Sequence, residues 1–388
     1  MNKAFFINGG AGRVLCSIPA LEGYAETHDD FIIVSESWSE LYLNSKVLRE
    51  KVFPLGHKDL FEDHLKDKKI ISPEPYRVNE YFTQRCNLIQ AFDIEINELD
   101  EIPETRELKL DLNKEDQING HNVVGEVKNT LGKDKVIVFQ PFGQGVKVEG
   151  QFIYDTSGRS FEIANILKLI EKLNKDYGII LMSNIEIPGW QSLGIAAPKN
   201  MGLNGWMGVI NAADYFLGCD SVGQHMAYSL NKPTTVVIGS TYPENISYPD
   251  SKKFSIIDNG KGKRKYSPIR LTMDICGDRT NEDLMVLEDK TVDSIIKGIK
   301  NKIGVSKKDL SNALGVKKQG GSTSGDLIES NPNWGDRKET VSFSSPKDSS
   351  NVKSVLTPPV KYDKPFVTKT KKKKKPIDEL LEIESKKS

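Results

Sequence analysis

The chain has 388 residues, of which 37 % are hydrophobic and 28 % are charged, and its formal net charge is +0. This length exceeds one ordinary domain and this composition allows sizeable cores, so the totals favour two domains and an additional segment. The charge is uneven, because residues 306–388 carry 18 Lys and Arg against 11 Asp and Glu, which leaves 36 basic and 43 acidic residues in 1–305. The main part of the chain lacks the basic field that binds nucleic acid, so no specific nucleic-acid partner is expected.

Strands and helices are predicted to alternate in the first third of the chain. Apolar runs predict strands at 4–7 and 31–34, with weaker candidates at 52–53 and 70–71. A glycine loop, Gly9-Gly10-Ala11-Gly12, follows the first run, and apolar residues then recur at the spacing of a helix. A second helical pattern covers 81–92. This alternation predicts a parallel sheet that is covered by helices on both faces.

A second and clearer α/β pattern occupies residues 123–305. Its strands are predicted at 136–139, 177–182, 215–218 and 234–238, and its helices at 123–131, 160–174, 206–213, 222–230 and 292–303. The polar segment at 110–122 is assigned to the crossing between two domains, 1–122 and 123–305. Residues 306–388 are rich in Ser, Lys, Gly, Pro and Asp and are predicted to be a disordered tail with one short helix at 377–384, because they cannot bury enough apolar surface.

Cysteine usage indicates a reducing compartment, and the opening residues do not resemble a signal peptide. Cys16, Cys86, Cys219 and Cys276 are far apart, form no CxxC pair and have no His at metal-ligand spacing, so free thiols are expected. No apolar run approaches the length that crosses a bilayer. The first residues are interpreted as a buried strand rather than a signal peptide. These observations predict a cytoplasmic protein without a transmembrane segment.

The stretch from Asp220 to Pro243 carries the most information about function. A buried strand ends at Gly218, and Asp220 and Ser221 favour the start of a helix, whose first turn offers free amide groups and a partial positive charge. Gly223 leaves room for a ligand, and His225 could donate to a phosphate or sugar oxygen. The stretch therefore predicts a diphosphate site at the carboxyl end of a parallel strand. The alternative is that Asp220 only caps the helix and His225 only packs.

This stretch resembles the signature of glycosyltransferase family 9, the ADP-heptose:lipopolysaccharide heptosyltransferase group. The signature reads D-[ST]-x-x-x-H-x-A, then L-x-x-P, an apolar strand and G-x-T-x-P. The matching residues are Asp220, Ser221, His225, Ala227, Leu230, Pro233, Gly239, Thr241 and Pro243. Weaker likenesses begin at Gly12 and surround Gln140, and the resemblance covers about residues 1–303. It implies a GT-B architecture, in which two Rossmann-like α/β domains face a cleft, with the donor on the second domain and the acceptor on the first.

The resemblance also implies an activity. A sugar would pass from a nucleotide-diphosphate sugar, of the ADP-heptose type, to an unknown carbohydrate or glycan-precursor acceptor, with inversion and without a metal or cofactor, since no DxD motif is present. The implied substrate-binding residues are Gly12, Gln140, Lys147, Arg159, Asp220, Ser221, Val222, Gly223, His225 and Thr241. Lys147 and Arg159 are the candidate cations beside the diphosphate, and the alternative for each is a solvated charge.

One departure from the family pattern leaves the function open. The family has an Asp, interpreted as the base, where this chain has Arg13, and an arginine cannot act as a base. Glu36, just past the second strand, is the replacement candidate, and its alternative is a solvated loop acid. Arg13 itself is a candidate contact for a phosphate or an acidic acceptor, or else a partner in an ion pair.

Two further functions and one surface contact remain as alternatives. The protein could bind a sugar nucleotide without catalysis, or it could be another GT-B enzyme such as a sugar-nucleotide epimerase. The lysine run at 371–375 could contact an anionic surface weakly, or it could simply be solvated.

Overall fold

The computed structural model of the chain describes residues 2–150, 152–155, 157–187, 189–264 and 283–305. The predicted tail at 306–388, with its short helix and its lysine run, lies outside the described residues, as does Cys276. Both sheets described below belong to one compact unit. Among the described residues, no helix combines the length and the apolar character that crossing a membrane requires.

The amino-terminal half forms a parallel four-stranded sheet. In chain order its elements are β1 (Lys3–Ile7), α1 (Ala11–Ala25), β2 (Phe31–Ser35), β3 (Val52–Pro54), β4 (Lys69–Ile71), α2 (Asn79–Phe82) and α3 (Leu88–Asn97). The strand order is β3-β2-β1-β4, and every pair is parallel, so the predicted parallel sheet is confirmed. Short 3-10 helices at Ser39–Asn44 and Pro75–Arg77 and a π-helix at Phe61–Leu65 lie between these elements.

The helix that the sequence predicts over 81–92 is two helices in the structure. Gln84 has a φ of 63°, a left-handed conformation that an α-helix does not continue through. Asn87 then starts α3 with a capping box, in which its side chain accepts from the Gln90 amide and the Gln90 side chain accepts from the Asn87 amide. The apolar spacing continues across the break, which is why the periodicity alone did not reveal it.

The carboxyl-terminal half forms a second parallel sheet. Its elements are α4 (Lys114–Leu131), β5 (Val136–Gln140), β6 (Val146–Glu149), β7 (Phe152–Asp155), α5 (Ile163–Leu173), β8 (Gly178–Leu181), α6 (Leu203–Ala212), β9 (Tyr215–Cys219), α7 (Val222–Ser229), β10 (Thr234–Ile238), α8 (Pro243–Ile246), β11 (Phe254–Asp258) and α9 (Asp289–Ile303). The parallel strands lie in the order β11-β10-β9-β5-β8, and β6 and β7 form a separate antiparallel hairpin. The sequence analysis did not predict this hairpin or β11.

Helix α4 connects the two halves and is longer than predicted. It begins at Lys114, where the Asn113 side chain accepts from the Asp116 amide, although the sequence indicated a helix only from residue 123. The proposed domain boundary after residue 122 therefore falls within a helix, and the division into domains stays a prediction. A Cβ atom on Gly120 would overlap the Gly208 carbonyl group, which shows that the backbones of α4 and α6 are in direct contact there.

One large core extends through both halves. It contains the inner face of the amino-terminal sheet with α1 and α3, and one face of the carboxyl-terminal sheet with α4, α6 and α7. The opposite face of the carboxyl-terminal sheet packs on α5 and α9 in a second core. Helix α1 lies directly against α7, so the loop after β1 and the loop after β9 approach each other between the two sheets.

Candidate active site

The candidate site is built on the carboxyl ends of β5 and β9, which are neighbours in the sheet. Gln140 ends β5, and its side chain joins that strand to the start of α7. Its amide nitrogen donates to Ser221 Oγ at 3.1 Å, and its oxygen accepts from the Gly223 amide at 2.9 Å. A Cβ atom on Gly223 would overlap the Gln140 oxygen. The missing side chain at Gly223 thus makes room for Gln140, whereas the sequence analysis expected it to make room for a ligand.

Asp220 links two loops at this edge of the sheet. Its carboxylate is buried and accepts from Thr241 Oγ1 at 2.9 Å and from the Gln224 side chain at 3.0 Å. Ser221, and not Asp220, is the N-cap residue of α7, and the Ser221 side chain makes no capping bond. The alternative role of Asp220 as a helix cap is therefore not what the structure shows. Val222, which begins α7, is only partly buried.

Of the two candidate cations, the structure brings Arg159 to Asp220. A guanidinium nitrogen of Arg159 lies 4.0 Å from Asp220 Oδ2, and the side chain is 28 % exposed, so it remains accessible. Burial raises the pKa of Asp220, although Arg159 lowers it as the largest opposing influence. Lys147 is exposed on β6, opposite Tyr154, and no hydrogen bond or ion pair between described residues joins it to this cluster.

His225 connects the two halves of the molecule. Its Nδ1 atom lies 2.7 Å from the Tyr248 hydroxyl and 3.5 Å from Cys16 Sγ. A Cβ atom on Gly12 would lie 2.9 Å from Cδ2 of His225 and 3.1 Å from its Nε2, so the absence of a side chain at Gly12 lets the imidazole approach α1. The structure therefore brings together Gly12 and His225, two residues that the sequence proposed for one site.

The imidazole of His225 is neutral at pH 7. Burial lowers its pKa to about 4. Burial also raises the pKa of Tyr248 well above its ordinary value, so the phenol keeps its proton and shares a hydrogen bond with Nδ1. The other ring nitrogen, Nε2, faces Gly12. His225 is thus a neutral hydrogen-bonding group between the halves.

The two residues proposed for catalysis lie on different elements of the amino-terminal half, Arg13 in α1 and Glu36 just after β2. Arg13 is buried, and its guanidinium donates to Glu74 Oε1 at 3.0 Å and to the Pro73 carbonyl at 2.9 Å. Arg13 thus forms the ion pair that the sequence analysis held as its alternative. Glu36 is exposed just past β2, where its backbone amide donates to Ile7. Glu74 was missed, although a carboxylate just past a strand candidate was a usable signal.

A cavity of about 260 Å³ opens at the carboxyl end of β8. Its lining includes Glu186, Trp190 and Lys199, and Glu186 Oε1 accepts from the Trp190 indole at 3.3 Å and from Lys199 at 3.2 Å. A second space, of about 10 Å³, lies between the halves beside Cys16 and His225 and is large enough for about one water molecule. Sequence analysis did not single out either space.

No metal-binding cluster is evident in the part of the chain that the structure describes. Within that part, no three His, Cys, Asp or Glu side chains are grouped so that they could hold a metal ion. Cys16, Cys86 and Cys219 are buried free thiols. Burial raises the pKa of Cys16 to about 12, so this thiol stays protonated beside His225.

Comparison with known proteins shows the fold. No family model and no curated protein sequence matches the chain. Among solved structures, ADP-heptose lps heptosyltransferase II of E. coli is similar with a TM-score of 0.53 and 13% identity over 78% of this chain and 98% of its own. The glycosyl transferase family 9 protein of Veillonella parvula DSM 2008 has a TM-score of 0.51 and 12% identity over 78% of this chain and 97% of its own. The chain therefore has a heptosyltransferase-like α/β fold of the GT-B kind.

Proposed function

We propose that this protein is a glycosyltransferase that uses a nucleotide-diphosphate sugar, with ADP-heptose as the first donor to test. The observation that carries the proposal is the Asp220 cluster with Arg159, which lies at the carboxyl ends of two parallel strands and next to the glycine loop of the other sheet. Open α/β sheets bind their ligands at this edge. The likeness in fold to a heptosyltransferase supports the same activity.

The donor would lie along the carboxyl edge of the second sheet. The cavity after β8 would take the nucleoside, with the Glu186 carboxylate as an acceptor for ribose hydroxyl groups. Strand β9 is two positions from β8, which is roughly 10 Å at the usual spacing between strands. This span suits a diphosphate that runs from the cavity toward Arg159. The guanidinium would stabilise the leaving nucleoside diphosphate without a metal ion.

In the proposed reaction, an oxygen of the acceptor hydroxyl attacks the anomeric carbon from the side of the amino-terminal sheet. The bond from that carbon to the diphosphate breaks, and attack from the opposite side inverts the configuration. The neutral His225 would form a hydrogen bond with a phosphate or sugar oxygen. Because only about 10 Å³ is free beside His225, the halves would have to separate to admit the substrates and then close to exclude water.

Donor binding and turnover test this function together. A donor at about a hundred times its dissociation constant should add roughly 2.7 kcal/mol to the stability of the chain. We expect ADP-heptose to raise the melting temperature and the protein to release ADP from it. Arg159→Gln should abolish most of that release, whereas Lys297→Gln, a change of an exposed cation on α9, should leave it unchanged. Failure of every ADP-, GDP- and UDP-sugar to be turned over would refute the proposal.

A second candidate function is sugar-nucleotide binding without transfer. The ion pair of Arg13 favours it, because a buried guanidinium occupies the position at which a base was expected. Stabilisation by the donor with no release of nucleotide would support this candidate. Conversion of the donor alone into an isomer, with no acceptor present, would instead indicate an epimerase.

A further inference from the structure

The carboxyl edge of the amino-terminal sheet holds a second carboxylate, Glu74. It follows β4, and β4 pairs directly with β1, whose carboxyl end carries the glycine loop. The contact of 3.0 Å between Arg13 and Glu74 shows that the loop after β4 lies against the start of α1. Glu74 therefore lies on the side of the site from which the acceptor would approach.

Several contacts hold Glu74 in place. Arg13 fixes the loop by also donating to the Pro73 carbonyl, and its guanidinium lies 4.9 Å from the centre of the Tyr76 ring. The Glu74 backbone amide donates to Glu95 Oε2 at 3.3 Å. The side chain is nevertheless 26% exposed, and the contact with Arg13 uses only Oε1. The carboxylate is thus held through Oε1 and remains partly accessible to a substrate.

The loop that carries Glu74 faces the candidate donor site across the two halves. Tyr76, two residues further on, is half-buried. Burial raises its pKa, and the charges that act on it include Arg13 from its own half and Arg159 and Asp220 from the other half. Tyr76 is thus near charged groups of both halves, and Glu74 lies two residues before it in the same loop. Glycosyl transfer needs a base near the nucleophile and a cation near the leaving group, and Glu74 and Arg159 would supply these from the two halves.

We propose that Glu74 is the general base of the transfer reaction, an inference that rests on the proposed function. The bond between the acceptor oxygen and the anomeric carbon forms while the bond from that carbon to the diphosphate breaks. The electron pair of the broken bond leaves with the nucleoside diphosphate, and the hydroxyl proton passes to Glu74 Oε2. Arg13 is then a positioning residue that holds the carboxylate at the start of α1.

Glu74 fits this role better than Glu36 does. Glu36 is exposed just past β2, and among the described residues its hydrogen bond is the one that its backbone amide donates to Ile7. Glu74 is held through Oε1 by a buried cation, and its side chain is still partly exposed. A base has to stay within hydrogen-bond reach of the attacking group, so the fixed carboxylate is the better placed of the two.

Hydrolysis of ADP-heptose by the full chain tests the assignment, with water as the acceptor and ADP release as the measurement. We expect Glu74→Gln to slow the release at least 100-fold, while its affinity for ADP changes less than twofold. Glu62→Gln, a matched change of an exposed carboxylate in the same half, should leave both unchanged. Glu36→Gln should also keep the full rate, and a large loss there would transfer the role to Glu36.

Azide distinguishes a base from a merely structural residue. Azide attacks without losing a proton, so it should restore ADP release to Glu74→Ala and yield a heptosyl azide. Normal hydrolysis by Glu74→Gln would overturn the assignment, as would failure of azide to rescue a Glu74→Ala protein that still binds ADP. If the unaltered protein binds ADP but never releases it from ADP-heptose, both the proposed sugar transfer and the assignment of Glu74 as its base are refuted. If only the Glu74 variants behave unexpectedly, the transfer stands and the base is elsewhere.

Discussion

The two sheets differ in how completely helices cover them. In the carboxyl-terminal sheet every residue of β5, β9 and β10 is buried, and helices pack on both faces. In the amino-terminal sheet the inner face shares the large core, but among the described residues the outer face packs in a small cluster that includes Leu60 and Leu65. The half that carries the Asp220 motif is thus packed on both faces of its sheet, whereas the other half depends more on its contact with that half.

The polar groups of the candidate site follow the same division. Asp220 on the carboxyl-terminal half is fixed by hydrogen bonds from two side chains and by its proximity to Arg159. On the amino-terminal half, the Glu74 carboxylate is held by one side chain, that of Arg13, and the glycine loop lies against His225. The residues proposed to bind the donor are therefore expected to hold their positions in the free protein more strictly than those proposed for the acceptor side. Four predictions test this difference.

The largest expected effect concerns the two outer cores. Leu169→Ala removes a fully buried side chain from the core under α5 and α9 and should cost about 3 kcal/mol of unfolding free energy. Leu65→Ala, in the small cluster on the amino-terminal sheet, should cost about 1 kcal/mol, because that site can collapse or admit solvent. Denaturant titration of both variants measures the costs. Equal values would contradict the contrast between the sheets.

The next prediction separates contacts within one half from contacts between halves. The Asn245 side chain donates to the carbonyls of Tyr81 and Cys86 in the amino-terminal half, whereas Asn165 bonds to both backbone groups of Leu287 within its own half. Either substitution by Ala should cost about 2 kcal/mol. Only Asn245→Ala should speed amide hydrogen exchange in α1 and α7, which mass spectrometry can follow. If exchange in α1 and α7 is also faster in the Asn165→Ala protein, the two halves separate only when the rest of the chain unfolds.

A third prediction concerns the helix that joins the halves. Gly120→Ala should cost about 2 kcal/mol, because the added methyl group overlaps the Gly208 backbone and forces α4 away from α6. Gly125→Ala in the same helix meets nothing within 4 Å and should add up to about 1 kcal/mol through helix propensity. Thermal denaturation of the pair should therefore shift in opposite directions. A loss of stability in both would place another close contact at Gly125.

The smallest expected effect is a pH dependence at the contact between the halves. The pKa of His225 is lowered by burial from its ordinary 6.5 to about 4, so the unfolded chain binds a proton at a pH where the folded chain does not. The stability contributed by the neutral ring is complete above pH 6.5 and is lost as the pH falls toward 4. Between pH 7 and pH 5 the loss should be about 1.8 kcal/mol.

His225→Gln isolates this contribution. The variant should lose less stability than the unaltered protein over the same interval, as denaturant titration at the two pH values can show. Cys16 and Tyr248, which contact the imidazole, stay protonated throughout, because burial raises the pKa of each. Asp220 is present in both proteins and cancels in the comparison. Identical pH dependence in the two proteins would mean that His225 is solvated or charged in the folded state.

Sequence reasoning was most successful where short-range pattern decides the structure. The apolar runs at β5, β9 and β10 and the one-sided stripe of α5 predicted elements close to their observed bounds, because a fully buried strand or an amphipathic helix has a distinctive local signature. The hairpin of β6 and β7 and the edge strand β11 were missed. Their residues are largely exposed or half-buried, so the apolar pattern there is weak.

The sequence by itself determined the parallel α/β character of both halves and the loops at which the strands end, since these follow from local periodicity and helix-start chemistry. Only the tertiary structure decided which side chains meet at those loops. Arg13 and Glu74 are 61 positions apart and touch because β4 pairs with β1, and Gly12 meets His225 because α1 packs on α7. Such contacts depend on strand order and helix packing, and the free energy of burial that selects them is a property of the whole core and not of any local stretch.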